Sequence, residues 1–429
     1  MARFGVCVFE DSAYAGFLPL VYSRAVFELR CGISALWEKV ARQYAGDVQF
    51  FCMTRPHLAR VLSERLGLTV NSVLDFSGET MLFVNGRLLA PPALSQLLPV
   101  EGRPACFMSD GELVAFRADR STLHDEFSSP EGFLSPEFAG RVAERMPVNV
   151  VKTTLVRFPW EIVSDNPRQI GEDFDLARQG GRIEGDVDER VVIYNARAVH
   201  ISQGARIDAG VVIDARRGPV YVGTGAAVRA FSRIEGPCSI GENCIIVGGR
   251  ITGGCSFGPC CRVGGEVEQT IFQGYCNKYH EGFIGHSYLG EWVNLGALTT
   301  NSDLRNTYTN VSVIVESRTV QTNMLKVGTF IGDFTRTGIG TLLDTGSTIG
   351  FSTNVFGGRG VLPKSIPSFV WGNGESFTEY IVDKATATAR LIMERRGVAW
   401  NSDHERLIHE VFELTKEERK KLLAGRAAT

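Results

Sequence analysis

A six-residue repeat of aliphatic residues is the feature that most constrains the fold of this chain. A β-strand buries every second residue and a helix has a period near 3.6, so neither produces a step of six. A step of six places one buried residue on each short strand of a parallel β-helix, with a corner before the next strand. The repeat occupies four runs: Ile201, Ile207 and Ile213; Val222, Val228, Ile234 and Ile240; Ile245, Ile251, Phe257 and Val263; Ile331, Thr337, Leu343, Ile349 and Val355. We therefore predict a β-helix of hexapeptide repeats over residues 181–370.

The glycine content supports this prediction. The chain has 47 glycines but only 16 prolines among 429 residues, which favours tight corners over flexible or proline-rich linkers. Glycine directly follows the repeat residue at Val222, Ile240, Ile331 and Ile349. The repeat is interrupted between residues 301 and 326, where we expect an inserted hairpin or loop.

The first 180 residues have a different pattern, in which apolar strands alternate with helical stretches. The predicted strands are Phe4–Phe9, Val48–Met53, Met81–Val84, Cys106–Met108, Leu113–Phe116 and Val148–Val156. The predicted helices are Gly32–Ala45, Pro56–Leu66 and Pro136–Met146. Such alternation is typical of an α/β domain with a largely parallel sheet. We expect residues 160–179 to form a polar, partly helical connection.

The last part of the chain, residues 371–429, is again helical in pattern. Three pairs are spaced as in a capping box: Ser376 with Glu379, Ser402 with Glu405, and Thr415 with Glu418. Gly397 is placed as a helix C-cap, and Leu407, Val411 and Leu414 would share one helical face. We expect this helical tail to cover an open end of the β-helix, whose core would otherwise be exposed.

Composition and charge exclude several classes of protein. With 44% hydrophobic and 22% charged residues, each domain can bury a core, so the chain is neither disordered nor fibrous. The 45 basic and 48 acidic residues give a formal net charge of −3, too small to favour a nucleic-acid or membrane partner. No apolar stretch reaches about 18 residues, and the N-terminus turns acidic after a short apolar run, unlike a signal peptide. We expect a soluble, cytoplasmic protein.

The ten cysteines form neither a disulfide framework nor a zinc motif. No two are separated by two residues, and the loose group of Cys255, Cys260, Cys261 and Cys276 near His280 lacks the usual ligand spacing of a zinc site. We therefore expect small buried thiols.

The run from His280 to Ala297 contains His-Glu-Gly-Phe-Ile-Gly and then Gly-Glu-Trp-Val-Asn-Leu-Gly-Ala, with Asn294 fourteen residues after the histidine. This run resembles the acetyltransferase half of the bifunctional GlmU enzymes and of their archaeal sugar-1-phosphate relatives. The segment from Val327 to Gly338 is similar to the family's next coil. The resemblance implies a left-handed β-helix that forms a homotrimer, with an active site between subunits and acetyl-CoA as acyl donor.

The resemblance also implies roles for four residues on the sugar side. His280 would be the general base for the sugar amine, a task that suits an imidazole near neutral pH. Asn294 would hold the sugar, Arg250 would bind its anionic group, and Phe283 stands where the family has a tyrosine. The alternative is that His280 and Arg250 are simply solvated residues of the β-helix surface.

Three further positions match the acyl-CoA side of the family's site. A backbone N–H near Ala297 would stabilise the oxyanion of the transfer. Gly338 and Gly357 match backbone that borders the pantetheine arm, although a tight corner is an equally good explanation for either glycine.

The sequence departs from the family at several contact positions. Glu268 replaces a sugar-contacting lysine, Leu298 replaces the last residue of Gly-Ala-Gly, and Asp303 replaces a later asparagine. A carboxylate in place of an ammonium group disfavours an anionic acceptor at that corner, so glucosamine-1-phosphate is in doubt as the acceptor. His286, six residues after His280, is the second candidate for the base.

The N-terminal domain keeps only part of the sugar nucleotidyltransferase motif. Residues 18–20, Leu-Pro-Leu, follow the first strand, but the glycine-rich phosphate loop is largely missing. We predict that Arg24 and Arg30 bind phosphate as bidentate donors instead, with ordinary packing as the alternative. Asn85 stands where the family has a Mg²⁺-binding aspartate, and an uncharged amide is a poorer ligand.

These features predict a transferase with three parts. Residues 1–180 form an α/β nucleotidyltransferase-like domain, residues 181–370 a left-handed β-helix acyltransferase-like domain, and residues 371–429 a helical tail. The substrates would be a sugar-1-phosphate with a nucleoside triphosphate, assisted by Mg²⁺, and an amino sugar with acetyl-CoA. One alternative is an acyltransferase whose N-terminal domain only binds a nucleotide sugar. The other is a non-catalytic trimeric scaffold that senses one.

Overall fold

A computed structural model describes residues 2–44, 46–123, 129–356 and 360–426. The chain divides into two compact units that do not follow its linear order. The first unit comprises Met1–Phe17, Ser23–Leu29 and Ser34–Arg157. The second comprises Leu18–Tyr22, Arg30–Ile33 and Phe158–Thr429. Two short N-terminal segments therefore belong to the same unit as the β-helix.

The first unit is built on a seven-stranded sheet that is largely parallel, as predicted. Its spatial order is Thr69–Val70, Val48–Met53, Phe4–Phe9, Thr80–Asn85, Glu112–Asp119, Ala105–Ser109 and Val148–Val150. Only Glu112–Asp119 runs antiparallel to its two neighbours. The helices are Leu36–Ala41, Ala59–Leu66, Leu94–Leu97, Pro130–Phe133 and Phe138–Arg145, with 3-10 turns at Ser12–Phe17, Val26–Glu28, Pro56–Leu58 and Val73–Asp75.

A cluster of phenylalanines forms the centre of this unit's core. Phe83 and Phe116, from paired strands, stack with ring centroids 4.4 Å apart. Phe9 and two helix residues, Phe133 and Phe138, pack around them, and all five side chains are buried. Aromatic rings bury the largest apolar area per residue, so a few strands and short helices can hold this sheet together.

Residues 159–177 correct the prediction of a partly helical connection, because Pro159–Ala177 is one continuous helix. Its polar character misled the sequence interpretation, since Asn166, Gln169 and Asp173 are buried. The Asn166 amide donates to the backbone oxygen of Gly254 at 2.8 Å and to Ser256 Oγ at 3.0 Å. These hydrogen bonds satisfy the buried polar groups, and they attach the helix to the β-helix.

The second unit is a parallel β-helix with three strands per coil, which confirms the predicted fold class. One nine-stranded sheet runs along it: Val199–Ile201, Val220–Val222, Cys238–Ile240, Cys255–Phe257, Ile271–Gly274, Tyr288–Glu291, Phe330–Ile331, Thr348–Ile349 and Ser365–Ile366. Val222, Ile240, Phe257, Phe272 and Leu289 are successive partners in register, so these coils are 15 to 18 residues long.

The other strands form the remaining two sides of the coils. They are Asp186–Val187, Val192–Tyr194, Arg206–Ile207, Val212–Asp214, Ala227–Val228, Arg233–Glu235, Ile245–Ile251, Arg262–Glu268, Asn277–Lys278, Phe283–Gly285, Thr300–Asn301, Arg336–Thr337, Leu342–Leu343, Asn354–Val355 and Val370–Gly372. Phe377–Glu379 adds an antiparallel strand beside Val370–Gly372. The two long strands turn a corner, because each pairs with separate strands on two sides.

The repeat residues fill the core of the β-helix, with one correction. Ile246 is fully buried where the repeat had assigned Ile245, which is only half-buried. The shortened step from Ile246 to Ile251 marks the frame shift between the runs. The interruption after residue 301 contains the expected hairpin, in which Ser312–Val315 pairs with Arg318–Gln321.

The helical tail is confirmed, but its boundaries differ from those predicted. Its helices are Val382–Arg395, Ser402–Leu414 and Lys416–Arg426. Ser376 does not cap a helix, because Phe377–Glu379 pairs as a strand with Val370–Gly372. Asn401, not Ser402, caps the second helix by accepting from the N–H groups of Asp403 and His404. Leu414 is 61% exposed and lies off the buried face.

Gly397 has the left-handed backbone expected of a C-cap, with φ of 72°. Leu422 and Leu423 from the last helix pack against the core of the β-helix, as expected of a tail that covers it. All ten cysteines are free and nine are buried. Among the described residues, none of the helices is both long and apolar enough to cross a bilayer.

Glycines at one edge of the β-helix let consecutive coils approach closely. A Cβ added at Gly241 would lie 2.5 Å from the Phe257 oxygen, and one at Gly258 would lie 1.9 Å from the Gln273 oxygen. The same close approach recurs at Gly223, Gly290, Gly332 and Gly350. The contacting atoms are mainly backbone, which cannot turn aside, so glycine follows the aliphatic residue for steric reasons.

We expect Gly258→Ala to destabilise the β-helix by about 1–3 kcal/mol, because the added methyl group overpacks a rigid corner. Gly274→Ala is the matched control, since its Cβ would have no contact closer than 3.4 Å. Denaturant unfolding followed by circular dichroism measures both variants. An equal loss of stability in the two would contradict the steric explanation.

Candidate active site

Three of the predicted residues lie on consecutive corners at one edge of the β-helix. His280 belongs to the corner between Asn277–Lys278 and Phe283–Gly285, which we call the His280 corner. The Leu298 N–H donates to the Glu281 oxygen at 2.7 Å, which stacks the Ala297 corner on it. The Gly340 N–H donates to the Ala297 oxygen at 2.8 Å, which adds the Gly338 corner. The structure thus brings His280, Ala297 and Gly338 into one line.

His280 is exposed at this edge, with its ring against Tyr279 at 5.3 Å between centroids. In the part of the chain that the structure describes, no side chain is hydrogen-bonded to its imidazole. Its backbone oxygen accepts from Lys278 Nζ. His280 is therefore accessible to a substrate. Within the described residues, no side-chain hydrogen bond fixes the orientation of its ring.

Arg250 and Phe283 share a second feature, the side of the coil that follows the His280 corner. Arg250 pairs in register with Glu266, and Glu266 pairs with Phe283. These three positions define the Arg250 face. The Arg250 guanidinium donates to Glu266 Oε2 at 2.7 Å, and this hydrogen bond raises the pKa of Arg250. An anionic ligand at Arg250 would compete with that carboxylate.

Asn294 lies on the other side of the His280 corner. Its backbone bridges Asn277 on one coil and Arg336 on the next, and its Oδ1 accepts from Asn277 Nδ2 at 2.9 Å. We call this side, with Arg262 at its start, the Asn294 face. A single subunit therefore presents Arg250 and Asn294 on different faces, which the fourteen-residue spacing did not reveal.

His286 has the hydrogen-bond partner that His280 lacks. The imidazole is 9% exposed, and its Nδ1 lies 2.8 Å from Asp303 Oδ2. Lys326 Nζ is 4.0 Å from that carboxylate and 3.1 Å from Glu268 Oε1. Burial raises the pKa of Asp303, but the His286 hydrogen bond and the neighbouring positive charges outweigh it and leave the pKa lowered. A carboxylate on one ring nitrogen orients a histidine for proton transfer at the other.

Lys278 is a buried charge that the sequence interpretation missed. It pairs in register with Val263, so it occupies an inward position that normally holds an aliphatic residue. The side chain is 1% exposed, and burial lowers its pKa to about 8. The sequence feature that could have revealed this buried charge is a lysine at an aliphatic repeat position, two residues before His280.

In the first unit, charged residues follow the carboxyl ends of three adjacent parallel strands, where α/β sheets usually bind ligands. Glu10 is buried and accepts from Thr54 Oγ1 at 2.6 Å and from Arg55 Nε at 3.1 Å. Arg55 lies over the Tyr14 ring at 4.2 Å and donates to the Arg24 oxygen. Arg24 itself is 1% exposed, so its guanidinium lies in the interior and not on an open phosphate loop.

Arg30 was predicted together with Arg24 but belongs to the second unit. Its N–H donates to Tyr288 Oη at 2.7 Å and to Gln273 Oε1 at 3.1 Å, both on the β-helix. Its guanidinium donates to the Ile33 oxygen. The sequence interpretation assumed that neighbours in sequence share a domain, and the interleaved chain breaks that assumption.

Asn85 does not fit a magnesium site. Its amide donates to Asp11 Oδ2 at 2.8 Å and to the Leu113 oxygen, while its Oδ1 accepts from the Arg87 N–H. The Arg87 guanidinium binds Asp11 Oδ2 at 2.7 Å and Glu112 Oε1 at 3.0 Å. A divalent cation there would lie against a buried guanidinium and be repelled by it. Arg87 neutralises the carboxylates that a metal would otherwise bind.

Within the described residues, no group of three or more His, Cys, Asp or Glu side chains is placed to hold a metal ion. Gly357, predicted beside the pantetheine arm, lies outside the described residues.

Comparison with known proteins agrees with these two parts of the chain. Residues 6–182 match the sugar nucleotidyl transferase family. The bifunctional sugar-1-phosphate nucleotidylyltransferase/acetyltransferase of Sulfurisphaera tokodaii is 31% identical over 93 residues, 22% of this chain and 23% of that protein. The bifunctional protein GlmU of Jannaschia sp. is 29% identical over 221 residues, 47% of this chain and 46% of that protein. Over part of its length, the chain is similar to GlmU proteins.

Each of these matches spans less than half of the relative's own length. Among solved structures, the Arabidopsis UDP-N-acetylglucosamine acyltransferase aligns with 56% of this chain and 91% of its own, at 13% identity and a TM-score of 0.26.

We expect Lys278→Met to remove a pH-dependent contribution to stability. Between pH 8 and about 10.5 the unfolded chain binds a proton at Lys278 that the folded chain has released, so this contribution rises with pH. The free energy of unfolding of the parent, minus that of Lys278→Met, should increase by roughly 3 kcal/mol across the window, at about 1.4 kcal/mol per pK unit.

The difference is measured by denaturant unfolding at several pH values, and the buried cysteines cancel from it because both proteins contain them. Lys384→Met, at an exposed lysine, is the control and should show no such rise. A flat difference for Lys278→Met would contradict the assignment of a buried, perturbed lysine.

Proposed function

We propose that this protein is a bifunctional transferase of nucleotide-sugar metabolism. The N-terminal α/β domain transfers a nucleotidyl group from a nucleoside triphosphate to a sugar-1-phosphate. The β-helix transfers an acetyl group from acetyl-CoA to an amino sugar. The observation that carries the proposal is the order of parts on one chain: a sugar nucleotidyl transferase match over residues 6–182, followed by a β-helix with the His280 corner.

In the acyl transfer, the amine nitrogen attacks the thioester carbonyl, and His280 accepts the amine's proton. The C–S bond then breaks, the amide forms, and coenzyme A leaves as its thiol with the proton returned by His280. Its exposure at a corner supports this role, and we propose that the acyl donor binds along the stacked corners of His280, Ala297 and Gly338. Arg250 and Phe283 contact the sugar from the neighbouring face. Because Asn294 lies on the other face, we propose that a homotrimer completes the site, with the sugar held between subunits.

A second candidate function is favoured by the Arg87 network. If Asp11 and Glu112 stay paired with Arg87, the N-terminal domain binds a nucleotide sugar without transferring a nucleotidyl group. Magnesium is then not a cofactor held at Asn85, and no step of the proposed reaction is assigned to it. We place the protein in the cytoplasm, where nucleoside triphosphates and acetyl-CoA are available and ten free thiols stay reduced.

The test is a mass-spectrometric screen of the full chain with sugar phosphates, amino sugars, each nucleoside triphosphate and acetyl-CoA. Release of pyrophosphate with a nucleotide sugar, together with formation of an acetylated sugar, supports both activities. An acetylated sugar without pyrophosphate supports the binding-only N-terminal domain. No product from any combination would favour a non-catalytic scaffold.

We expect His280→Ala to lower the acetyl-transfer rate by roughly 10²- to 10⁴-fold, the usual effect of removing a general base. His409→Ala, on the tail, is the control for an ordinary surface histidine. The competing choice of base is His286, which has an orienting carboxylate. Full activity in His280→Ala with loss in both His286→Ala and Asp303→Asn would transfer the role to His286.

If Arg24 or Arg30 binds phosphate, as the sequence predicts, Arg24→Gln or Arg30→Gln should weaken nucleoside triphosphate binding about tenfold to a hundredfold, because a charge-assisted hydrogen bond contributes roughly 1.5–3 kcal/mol. The burial of Arg24 and the placement of Arg30 in the second unit favour the packing alternative. Titration calorimetry measures the affinity, and Arg3→Gln, an exposed arginine paired with Glu79, is the control. Unchanged affinity in folded variants would show that both arginines have packing roles.

A further inference from the structure

A small pocket on the Asn294 face is lined by four arginines. It measures about 170 Å³ and lies between this face and the helix Val382–Arg395. Arg262 and Arg336 reach it from the β-helix, and Arg395 and Arg396 reach it from the end of the helix. Neither part would form the pocket alone.

The four arginines lack the acidic partners that other arginines of the β-helix have. Elsewhere on its surface, arginine pairs with a carboxylate two residues away, as in Arg190 with Asp188, Arg206 with Asp208, Arg216 with Asp214 and Arg233 with Glu235. Over the described residues, none of the four pocket arginines forms an ion pair. The pocket therefore concentrates positive charge that the protein itself does not neutralise.

The strand register explains why the Asn294 face contributes no carboxylate to the pocket. Along the Asn294 face, Arg262, Asn277, Asn294, Arg336 and Asn354 are successive partners, each on its own coil. Every position is either cationic or an amide. The hydrogen bond from Asn277 to Asn294 Oδ1 leaves the Asn294 NH₂ group as a further donor at the pocket wall.

The side chains also show unmet hydrogen-bonding capacity. The Nε of Arg336 is buried and has no hydrogen-bond partner among the described residues. Burial lowers the pKa of Arg336, and burial together with the charges of Arg262 and Arg395 lowers that of Arg396. Like charges held together in a partly buried pocket are unfavourable unless an anion joins them.

We propose that this arginine pocket binds the phosphate group of a small phosphorylated ligand. Guanidinium groups match phosphate oxygens as bidentate donors, and the pocket has room for one such group and little more. The ligand is either free phosphate or a phosphate monoester such as a sugar phosphate. Asn294, which the proposed acyl transfer assigns to the sugar, also lines this pocket, but phosphate binding is measured without acetyl-CoA and does not require acyl transfer.

The test is calorimetry on the full chain with three probes: inorganic phosphate, glucosamine-1-phosphate and unphosphorylated glucosamine. We expect saturable binding of the phosphorylated probes. Equal affinity for both would identify phosphate itself as the ligand, and tighter glucosamine-1-phosphate binding would identify a monoester. Equal affinity for glucosamine and glucosamine-1-phosphate would overturn the proposal, as would no binding of any probe.

Arg336→Gln and Arg395→Gln should each weaken phosphate binding at least tenfold, since each removes a charge-assisted contact. Arg390→Gln is the matched control, because Arg390 lies on the same helix but pairs with Glu394. Arg395 is exposed, so its replacement does not threaten folding. Unchanged phosphate affinity in both pocket variants would overturn the proposal.

A thermal melt in phosphate-free buffer separates binding from a structural role. Removing one of several repelling charges should leave the melting temperature of Arg336→Gln equal to or above that of the parent. A clear fall in melting temperature, without change in phosphate affinity, would show that Arg336 only supports the fold.

Discussion

The backbone hydrogen bonds between consecutive coils are the constraint on which the second unit depends. Because each coil donates to the next along all three sides, residues at equivalent positions lie in straight lines along the β-helix. At the glycine edge, the coils are so close that a methyl group at Gly258 would meet a backbone oxygen. The same alignment places His280, Ala297 and Gly338 on one edge and gathers arginines and amides on one face. Side chains with related chemical properties therefore lie above one another on successive coils of this unit.

This alignment explains which parts of the structure were predictable. A six-residue step determines which residues point inward, so the core positions of the four runs, within 201–263 and 331–355, followed from the sequence, apart from the slip at Ile245. The stacking of His280 below Ala297 follows from the same step. The faces were harder, because the resemblance names Arg250 and Asn294 as contacts but does not say on which side of a coil each lies. The Ser376 signal failed because its segment pairs with a strand that precedes it, and pairing outweighs a local cap.

Long-range charge pairs were beyond sequence reasoning. The sequence around Asn85 does not predict that Arg87 binds Asp11 and Glu112, because these carboxylates lie near the ends of two other strands. The 17-residue spacing of His286 and Asp303 places them on adjacent coils, but it does not show that their side chains meet. The lowered pKa of Lys278 also depends on the fold, because it results from burial inside the β-helix. In each case, the chemistry of a side chain depends on partners that only the fold supplies.

The interleaving of the two units bears on the order in which the chain is synthesised. The segment Leu18–Tyr22 is synthesised before the β-helix, yet it belongs to the same unit. Tyr22 Oη donates to the carboxylate of Glu418 at 3.3 Å, and Glu418 is synthesised 396 residues later. The segment therefore cannot form this contact until the residues between them have been translated. A fragment that stops before the helix Lys416–Arg426 would lack Glu418, the hydrogen-bond partner of Tyr22.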